Sequence, residues 1–372
     1  MPPLLKTGFA MYDPFEKLDL NKEDPIILGI ESSCDETAAA VIKGRKILSN
    51  EIASSASVQA LFGGVVPEIA SRAHTDAVAE VVERAVKNAG ISYADIDAVA
   101  VTYGAGLLGA LLVGVSFAKA FAYALNKPLI AVNHIRGHLA ASYLSAPDLK
   151  PPFVTLLASG GHTAVLYAKS EAEFEILGAT LDDAAGEAFD KVARVLGLKY
   201  PGGPNIENCA KGGEPNVPMP KMLKDGGGYN FSYSGLKTAV INYCHTKEQK
   251  NEEYSKADVA ASFQKAAIDV LVEKTIDGAK EKKVEIVTAG GGVAANTYLR
   301  ESLQAACEKN GLRLILPEKK YCTDNAAMIA AEGLVQYHLG NFADMTLTAK
   351  ASIPLAATLE TVQSRRAKEK EV

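Results

Sequence analysis

Phe153-Val154-Thr155-Leu156-Leu157-Ala158-Ser159-Gly160-Gly161-His162-Thr163-Ala164-Val165-Leu166-Tyr167-Ala168 reads as a strand, a tight polar turn and a returning strand. Both flanking runs are apolar, rich in β-branched residues and of strand length. The turn between them is small enough for backbone N–H groups to close on an anion, because glycine leaves the approach open. An earlier stretch has the same build. Residues 26–31 (IILGIE) form an apolar strand, Ser32-Ser33-Cys34-Asp35-Glu36-Thr37 a polar turn, and residues 38–42 a second strand. A plain hairpin has this spacing too. The repetition is what makes the pattern informative.

Working outward, each half continues in the same way. In the first, a strand near 47–53 leads through Gly63-Gly64 to an amphipathic helix over about 67–87, with Ile69, Ala73, Ala77, Val81 and Ala85 on one stripe. A strand over 97–102 follows. The glycine run 104–109 then opens an apolar helix reaching about 125, and suits either a phosphate cradle or close helix–strand packing. In the second half, residues 182–191 carry Asp183, Glu187 and Asp190 at i, i+4 and i+7, one face of a helix. Tyr200-Pro201-Gly202-Gly203-Pro204 breaks the chain before a helix starting near Asn205, and 211–235 reads as an irregular insertion. A long helix spans about 256–281. The strand 284–289 then runs into Gly290-Gly291-Gly292, the kind of strand end where ligands dock in α/β folds. Thr323 and Asp324 are N-cap types before the last strong helix.

Two such βββαβα-like halves fit an α/β chain of the actin-like, hexokinase-like ATPase type, a duplicated two-lobe fold with a ligand cleft between the lobes. One doubly wound sheet is the competing architecture. The expected division is 26–132 plus 325–355 for the N-terminal lobe and 133–324 for the C-terminal lobe. Residues 1–25 are expected to be a flexible extension and 356–372 a flexible tail.

Between the halves lies Asn133-His134-Ile135-Arg136-Gly137-His138-Leu139-Ala140-Ala141, which holds two of the chain's six histidines. On a helix, His134 and His138 share a face and reach one point, which is a metal-binding geometry. Two ligands do not complete a site.

Composition narrows the function classes. The 372 residues are 48% apolar and 22% charged, ordinary for a globular protein. No run of about 18 uninterrupted apolar residues offers a membrane span. The N-terminus lacks the apolar core of a signal peptide. Five scattered cysteines without a CxxC read as reduced thiols in a cytoplasmic protein. The net charge of −5 argues against a chain that coats nucleic acid non-specifically.

Nine stretches, in order, resemble one family: 29–37 (GIESSCDET), 63–71 (GGVVPEIAS), 134–138, 158–163 (ASGGHT), 182–191 (DDAAGEAFDK), 200–204 (YPGGP), 231–238 (FSYSGLKT), 289–296 (AGGGVAAN) and 322–328 (CTDNAAM). They resemble the TsaD family of tRNA threonylcarbamoyladenosine synthesis transferases, once labelled O-sialoglycoprotein endopeptidases. The wording of 63–71 looks like that of the bacterial or organellar branch.

The resemblance implies one divalent metal ion per subunit, Fe2+ or Zn2+, held by His134, His138 and Asp324. It implies threonylcarbamoyl-AMP as donor, with binding positions at Leu157, Ala158, Ser159, Gly160, Gly161, Asp190, Gly203, Glu207 and Asn296. Asp190 and Glu207 suit ribose hydroxyls. Gly203 and Gly290–Gly292 are expected to allow close approach of the adenosine. The 159–161 turn is expected to offer N–H groups to acyl or phosphate oxygens. Asp35 and Glu36 are the candidate general bases.

The acceptor it implies is the adenosine 3′ of the anticodon in tRNAs reading codons that begin with adenine. Implied protein partners are a TsaB-like paralogue and a TsaE-like ATPase in the bacterial branch, or a second copy of the chain in the organellar branch. Asn133 departs from the family pattern, which commonly has another histidine there.

Two rival classes stand beside this one. A zinc metallopeptidase could claim the histidine pair, although no glutamate follows His134 as in HExxH. A carbamoyl- or phosphoryl-transferring enzyme of the same fold would explain the turns, but not the metal ligands.

Overall fold

The computed structural model describes residues 12–15, 18–223 and 227–354. Its first half contains β1 (Ile26–Glu31), β2 (Glu36–Lys43), β3 (Lys46–Ser54), α1 (Ala56–Ala60), α2 (Pro67–Ala89), β4 (Ala98–Gly104), α3 (Leu108–Leu125), β5 (Leu129–Asn133) and α4 (His134–Ser145). The second contains β6 (Phe153–Ala158), β7 (Thr163–Ala168), β8 (Phe174–Ala179), α5 (Ala185–Val195), α6 (Gly202–Ala210), α7 (Ser234–Gln249), α8 (Lys256–Lys282), β9 (Ile286–Gly290), α9 (Thr297–Lys309), β10 (Arg313–Ile315) and α10 (Ala326–His338).

Two five-stranded sheets form, ordered β3-β2-β1-β4-β5 and β8-β7-β6-β9-β10. Strand senses match as well as order. In each sheet the first three strands are antiparallel, and the two later strands add in parallel, one beside the first strand and the other beyond it. The duplicated actin-like architecture is therefore present, and the single doubly wound sheet is excluded.

Three elements had no clear sequence signal. β10 is three residues long, β8 is half-exposed without alternation, and α7 begins inside the Gly/Pro-rich insertion.

Burial along α2 agrees with the predicted stripe at Val81 and Ala85 and is offset by one residue in the earlier turns. The inward residues include Ala70, His74, Val78, Val81, Val82 and Ala85. A histidine thus faces inward where alanine and isoleucine were expected. The glycines of 104–109 serve packing rather than an anion: a Cβ on Gly106 would lie 2.5 Å from the Ser33 carbonyl oxygen. α3 is the one described helix that is long and apolar enough to cross a membrane by length and composition. Its Ala110, Leu111, Gly114, Val115, Ala118 and Ala122 are buried within the first lobe. Leu108, Leu112 and Tyr123 stay exposed.

The described part of 1–25 is packed, not loose. Tyr12 donates to the Lys127 carbonyl at 2.8 Å, Tyr337 donates to the Asp19 carbonyl at 2.8 Å, and Phe15 lies 5.5 Å from Phe342. The tail expected at 356–372 lies outside the described residues.

α4 and α10 lie together between the sheets. Arg136 of α4 donates through Nε to the buried Glu332 of α10 at 2.7 Å. α10 presses on β1 at Gly29, where a Cβ would stand 2.4 Å from the Ala326 carbonyl oxygen. Only glycine permits that approach. The ends of β1, β5 and β6 and the start of α10 are thereby brought to one place.

Candidate active site

α4 begins without a spacer after β5, and the Asn133 side chain caps it by accepting the Ile135 N–H at 2.9 Å. His134 and His138 therefore sit one turn apart at a fixed helix start. Their ring centroids are 4.7 Å apart and the planes nearly perpendicular, at 82°.

Asp324 reaches them from the segment before α10. That helix is capped by Asn325, which accepts the Met328 N–H at 3.1 Å. Neither Thr323 nor Asp324 is the cap, contrary to the sequence reading, and the Asp324 carboxylate is thereby released to the site. Its Oδ1 is 3.5 Å from His134 Nε2 and 3.2 Å from His138 Nε2. The donor atoms of all three residues fall within 4.8 Å of one another. Ligands around one ion at ordinary Zn–N and Zn–O lengths stand about 3–3.5 Å apart. The three residues fit a divalent metal.

The support behind His134 fits the same role. Glu31, fully buried at the end of β1, places Oε2 3.1 Å from His134 Nδ1. Thr102 donates to that oxygen at 2.6 Å, and the Ser33 N–H donates to the other. A carboxylate on the far nitrogen of a ligand histidine fixes its tautomer and raises its basicity. Burial opposes the charging of His134, but the Asp324 and Glu31 carboxylates outweigh it and raise its pKa well above the usual value. Burial also opposes ionisation of Asp324, yet the histidines hold it far below the carboxylate range. The pocket is built to hold a positive charge.

The turn after β1 forms an adjoining wall. His74 Nε2 donates to the Cys34 carbonyl at 2.9 Å, and its Nδ1 accepts from Thr37 Oγ1 at 2.7 Å. Burial lowers its pKa, so it holds the loop as a neutral ring. Glu36 accepts from Ser54 at 2.7 Å through Oε1, while its buried Oε2 has no hydrogen-bond partner among the described residues. Burial, then the neighbouring Asp35 charge, push its pKa up to about 8.

Beside the triad opens a cavity of about 480 Å³. Asp35, Glu36 and Asp324 line it together with Ser159, Gly160, Asp190, Gly203, Glu207 and Asn296. A Cβ on Gly160, Gly161, Gly203 or Gly292 would meet nothing within 4 Å, so these backbones are open to a ligand. Gly290 and Gly291 are not. Gly290 abuts the His138 carbonyl and Gly291, at φ +93°, the Ala158 carbonyl, so these two serve packing.

The other expected positions differ in role. Leu157 and Ala158 are buried in β6 and do not line the cavity. The Ser159 N–H is used by the His162 carbonyl at 2.8 Å, which leaves the turn the N–H groups of Gly160 and Gly161. Asp190 accepts the Gly202 N–H at 2.6 Å, and burial raises its pKa. Glu207 accepts the Thr297 N–H at 3.2 Å. Asn296 caps α9 and donates to Gln264 at 2.9 Å.

The acidic helix face divides. Asp183 lies before α5 and pairs with Lys191 at 2.7 Å and Lys237 at 2.8 Å. Only Asp190 lines the cavity.

Three residues were not singled out from sequence. Glu31 is a carboxylate ending an otherwise apolar strand, a placement that demands a partner. His74 was hidden in a helical stripe. His162, in the second turn, stays neutral because burial, then the His134 and His138 charges, lower its pKa to about 4.

Comparison with known proteins agrees with this geometry. The family described as "tRNA N6-adenosine threonylcarbamoyltransferase" matches residues 46–331. A protein of that name from Clostridium perfringens is 52% identical over 338 residues, 90% of this chain and 99% of its own. One from Clostridium botulinum is 52% identical over 336 residues, again 90% and 99%. Among solved structures, full-length HypF in its phosphate- and nucleotide-bound form superposes with a TM-score of 0.58 at 15% identity, over 86% of this chain and 47% of that one. That likeness concerns the fold alone. The chain belongs to the TsaD family of tRNA N6-adenosine threonylcarbamoyltransferases.

Proposed function

We propose that this chain transfers the threonylcarbamoyl group of threonylcarbamoyl-AMP to N6 of the adenosine 3′ of the anticodon in tRNAs reading codons that begin with adenine. The observation that carries this reading is the joining of two features. A His134–His138–Asp324 cluster opens onto a cavity walled by glycine backbone and by Asp190 and Glu207.

The cavity divides the donor by chemistry. Asp190 and Glu207 accept ribose hydroxyls, while Gly203 and Gly292 leave room for the adenosine. The Gly160 backbone, which lines the cavity, would offer its N–H to the acyl or phosphate oxygens. His134, His138 and Asp324 would hold a divalent ion, Fe2+ or Zn2+, with positions left open. Such an ion supplies Lewis-acid neutralisation of charge on phosphate oxygens.

In the transfer, the N6 amine attacks the carbamoyl carbon. A C–N bond forms, the C–O bond to the phosphate breaks, AMP leaves, and one amine proton is lost. Glu36, with an unpartnered oxygen at the cavity wall and Asp35 beside it, is positioned to take that proton. The amine is a weak nucleophile, so fixing it against the carbonyl supplies much of the acceleration.

For the surroundings, we infer the bacterial partner set, a TsaB-like paralogue and a TsaE-like ATPase, over a homodimer. Clostridial relatives support this choice, and exposed Leu108, Leu112 and Tyr123 on α3 offer an apolar face to a protein partner. Five free cysteines support a cytoplasmic setting. The peptidase reading is weaker, since nothing between the two histidines provides a base.

Nucleoside analysis of tRNA from cells depleted of this protein tests the proposal. Threonylcarbamoyladenosine should fall as the protein is lost, and an unchanged level would reject it.

A further inference from the structure

Four buried polar atoms without a partner among the described residues gather behind His138. They are His138 Nδ1, Ser142 Oγ, Thr155 Oγ1 and Thr288 Oγ1. Each residue is at most 2% exposed.

Their neighbours place them on one buried seam between α4 and the second sheet. Thr155 and Thr288 are register partners on the parallel strands β6 and β9. Strand alternation puts Phe153, Thr155 and Leu157 on one face of β6, and Ile286, Thr288 and Gly290 on the same face of β9. That face meets α4 at both ends. Phe153 and Ile286 pack with Ala140 and Tyr143, while Leu157 packs with Ile135 and Leu139. Gly290 abuts the His138 carbonyl.

On α4, residues 135, 138, 139, 142 and 143 share the stripe turned to this sheet. Ser142 and the far side of the His138 ring therefore fall between the two apolar ends, level with the threonine pair. The result is a polar layer with Ile135, Leu139 and Leu157 at one end and Phe153, Ile286 and Tyr143 at the other, the Tyr143 hydroxyl being likewise without a partner among the described residues. Left dry, each of these groups would carry its full desolvation cost. A buried water needs two to four polar partners, and the layer offers four.

We propose that Ser142, Thr155 and Thr288 form a built water site, whose ordered water accepts the Nδ1–H of His138 and fixes the tautomer that leaves Nε2 unprotonated toward Asp324. The three hydroxyls are positioning residues that act through His138. The two ligand histidines are then supported differently. His134 leans on the Glu31 carboxylate, and His138 on a neutral water. The tautomer half of the proposal rests on the metal reading above; the water half does not.

The test uses full-length protein and a T155V/T288V variant. This exchange keeps side-chain shape and removes both hydroxyls. Two quantities are measured: the thermal midpoint of metal-stripped protein, and Zn2+ affinity by chelator competition. A water site predicts a lower midpoint and Zn2+ binding weakened about 10–100-fold, the usual effect of losing outer support for a ligand. A midpoint that is unchanged or raised, with unchanged Zn2+ affinity, means dry hydroxyls and overturns the proposal.

Wild-type protein with no Zn2+ affinity would remove the metal reading and the tautomer half, while the midpoint still decides on the water. If the double variant does not fold, Ser142→Ala with the same two measurements replaces it. An atomic-resolution map of the wild type with no density in the layer would also overturn the proposal.

Discussion

Gly290 and His138 meet backbone to backbone: a Cβ on Gly290 would stand 2.4 Å from the His138 carbonyl oxygen. The second sheet thus sets the position of His138 without touching its imidazole. Gly290→Ala should force α4 away from β9, at an overpacking cost of about 1–3 kcal/mol. Urea unfolding and Zn2+ titration of the variant should show both lower stability and weaker binding. Full stability with native Zn2+ affinity would mean that α4 is not held by this contact.

Removing a ligand and removing its support should differ in degree. His138→Ala or Asp324→Ala should lower metal affinity by more than about 100-fold, and Glu31→Gln by about 10–100-fold, the range for outer-shell partners. Metal content after dialysis, compared across the three proteins, checks the order. A glutamine variant as weak as the alanine variants would make Glu31 more than a support.

If Glu36 takes the amine proton, as proposed, the transfer has a pH dependence of definite sign. Its pKa is pushed up to about 8, so the carboxyl is largely protonated at neutral pH. A base must be ionised to accept the amine proton. The transfer rate should therefore rise with pH and level off above about 8, and Glu36→Gln should abolish that limb. Stability runs the other way. The folded protein holds a proton on Glu36 that the unfolded chain releases near 4.5, so this group's contribution falls as pH rises from that value towards 8. A flat rate profile in the wild type would remove Glu36 as the base.

Asn325→Ala should cost about 0.5–2 kcal/mol through the lost cap of α10. It should also loosen the Asp324 carboxylate, which precedes that cap. Thr323→Ala, at a position that does not cap, should leave stability within about 0.5 kcal/mol. Chemical denaturation of both variants separates the positions, and equal losses would contradict the cap assignment.

How far the sequence could be read follows physical lines. Both opening hairpins were legible because apolar runs bounded by small polar turns have few other solutions. The histidine pair was legible as a helical spacing. Asp324 was not, because nothing local says that a residue almost two hundred positions on will meet them; only the family motifs supplied it. Thr323, Asp324 and Asn325 are all good caps, so propensity alone could not choose among them. The packing of Ala326 on Gly29 chooses, and it leaves Asp324 free. His74 was missed because its stripe is offset by one residue, and β8 and β10 because half-exposed or very short strands carry almost no periodicity. Gly290 and Gly292 look alike in sequence, yet one contacts a carbonyl and the other opens on the cavity.

The attachment of α4 and α10 has a mechanical outcome. Glu31 and Asp324 ride on β1 and on the segment leading into α10, both packed on the first sheet, while α4, with His134 and His138, is tied to both sheets, to β5 through the chain and to β9 through the Gly290 contact. Ser159, Asp190, Gly203 and Asn296 ride on the second. The histidine helix is thus seated like a wedge in both sheets, with the carboxylates of the cluster on one side and most of the cavity wall on the other. A shift of one sheet against the other would therefore be felt at the histidine pair itself, through the contact that Gly290 makes with α4.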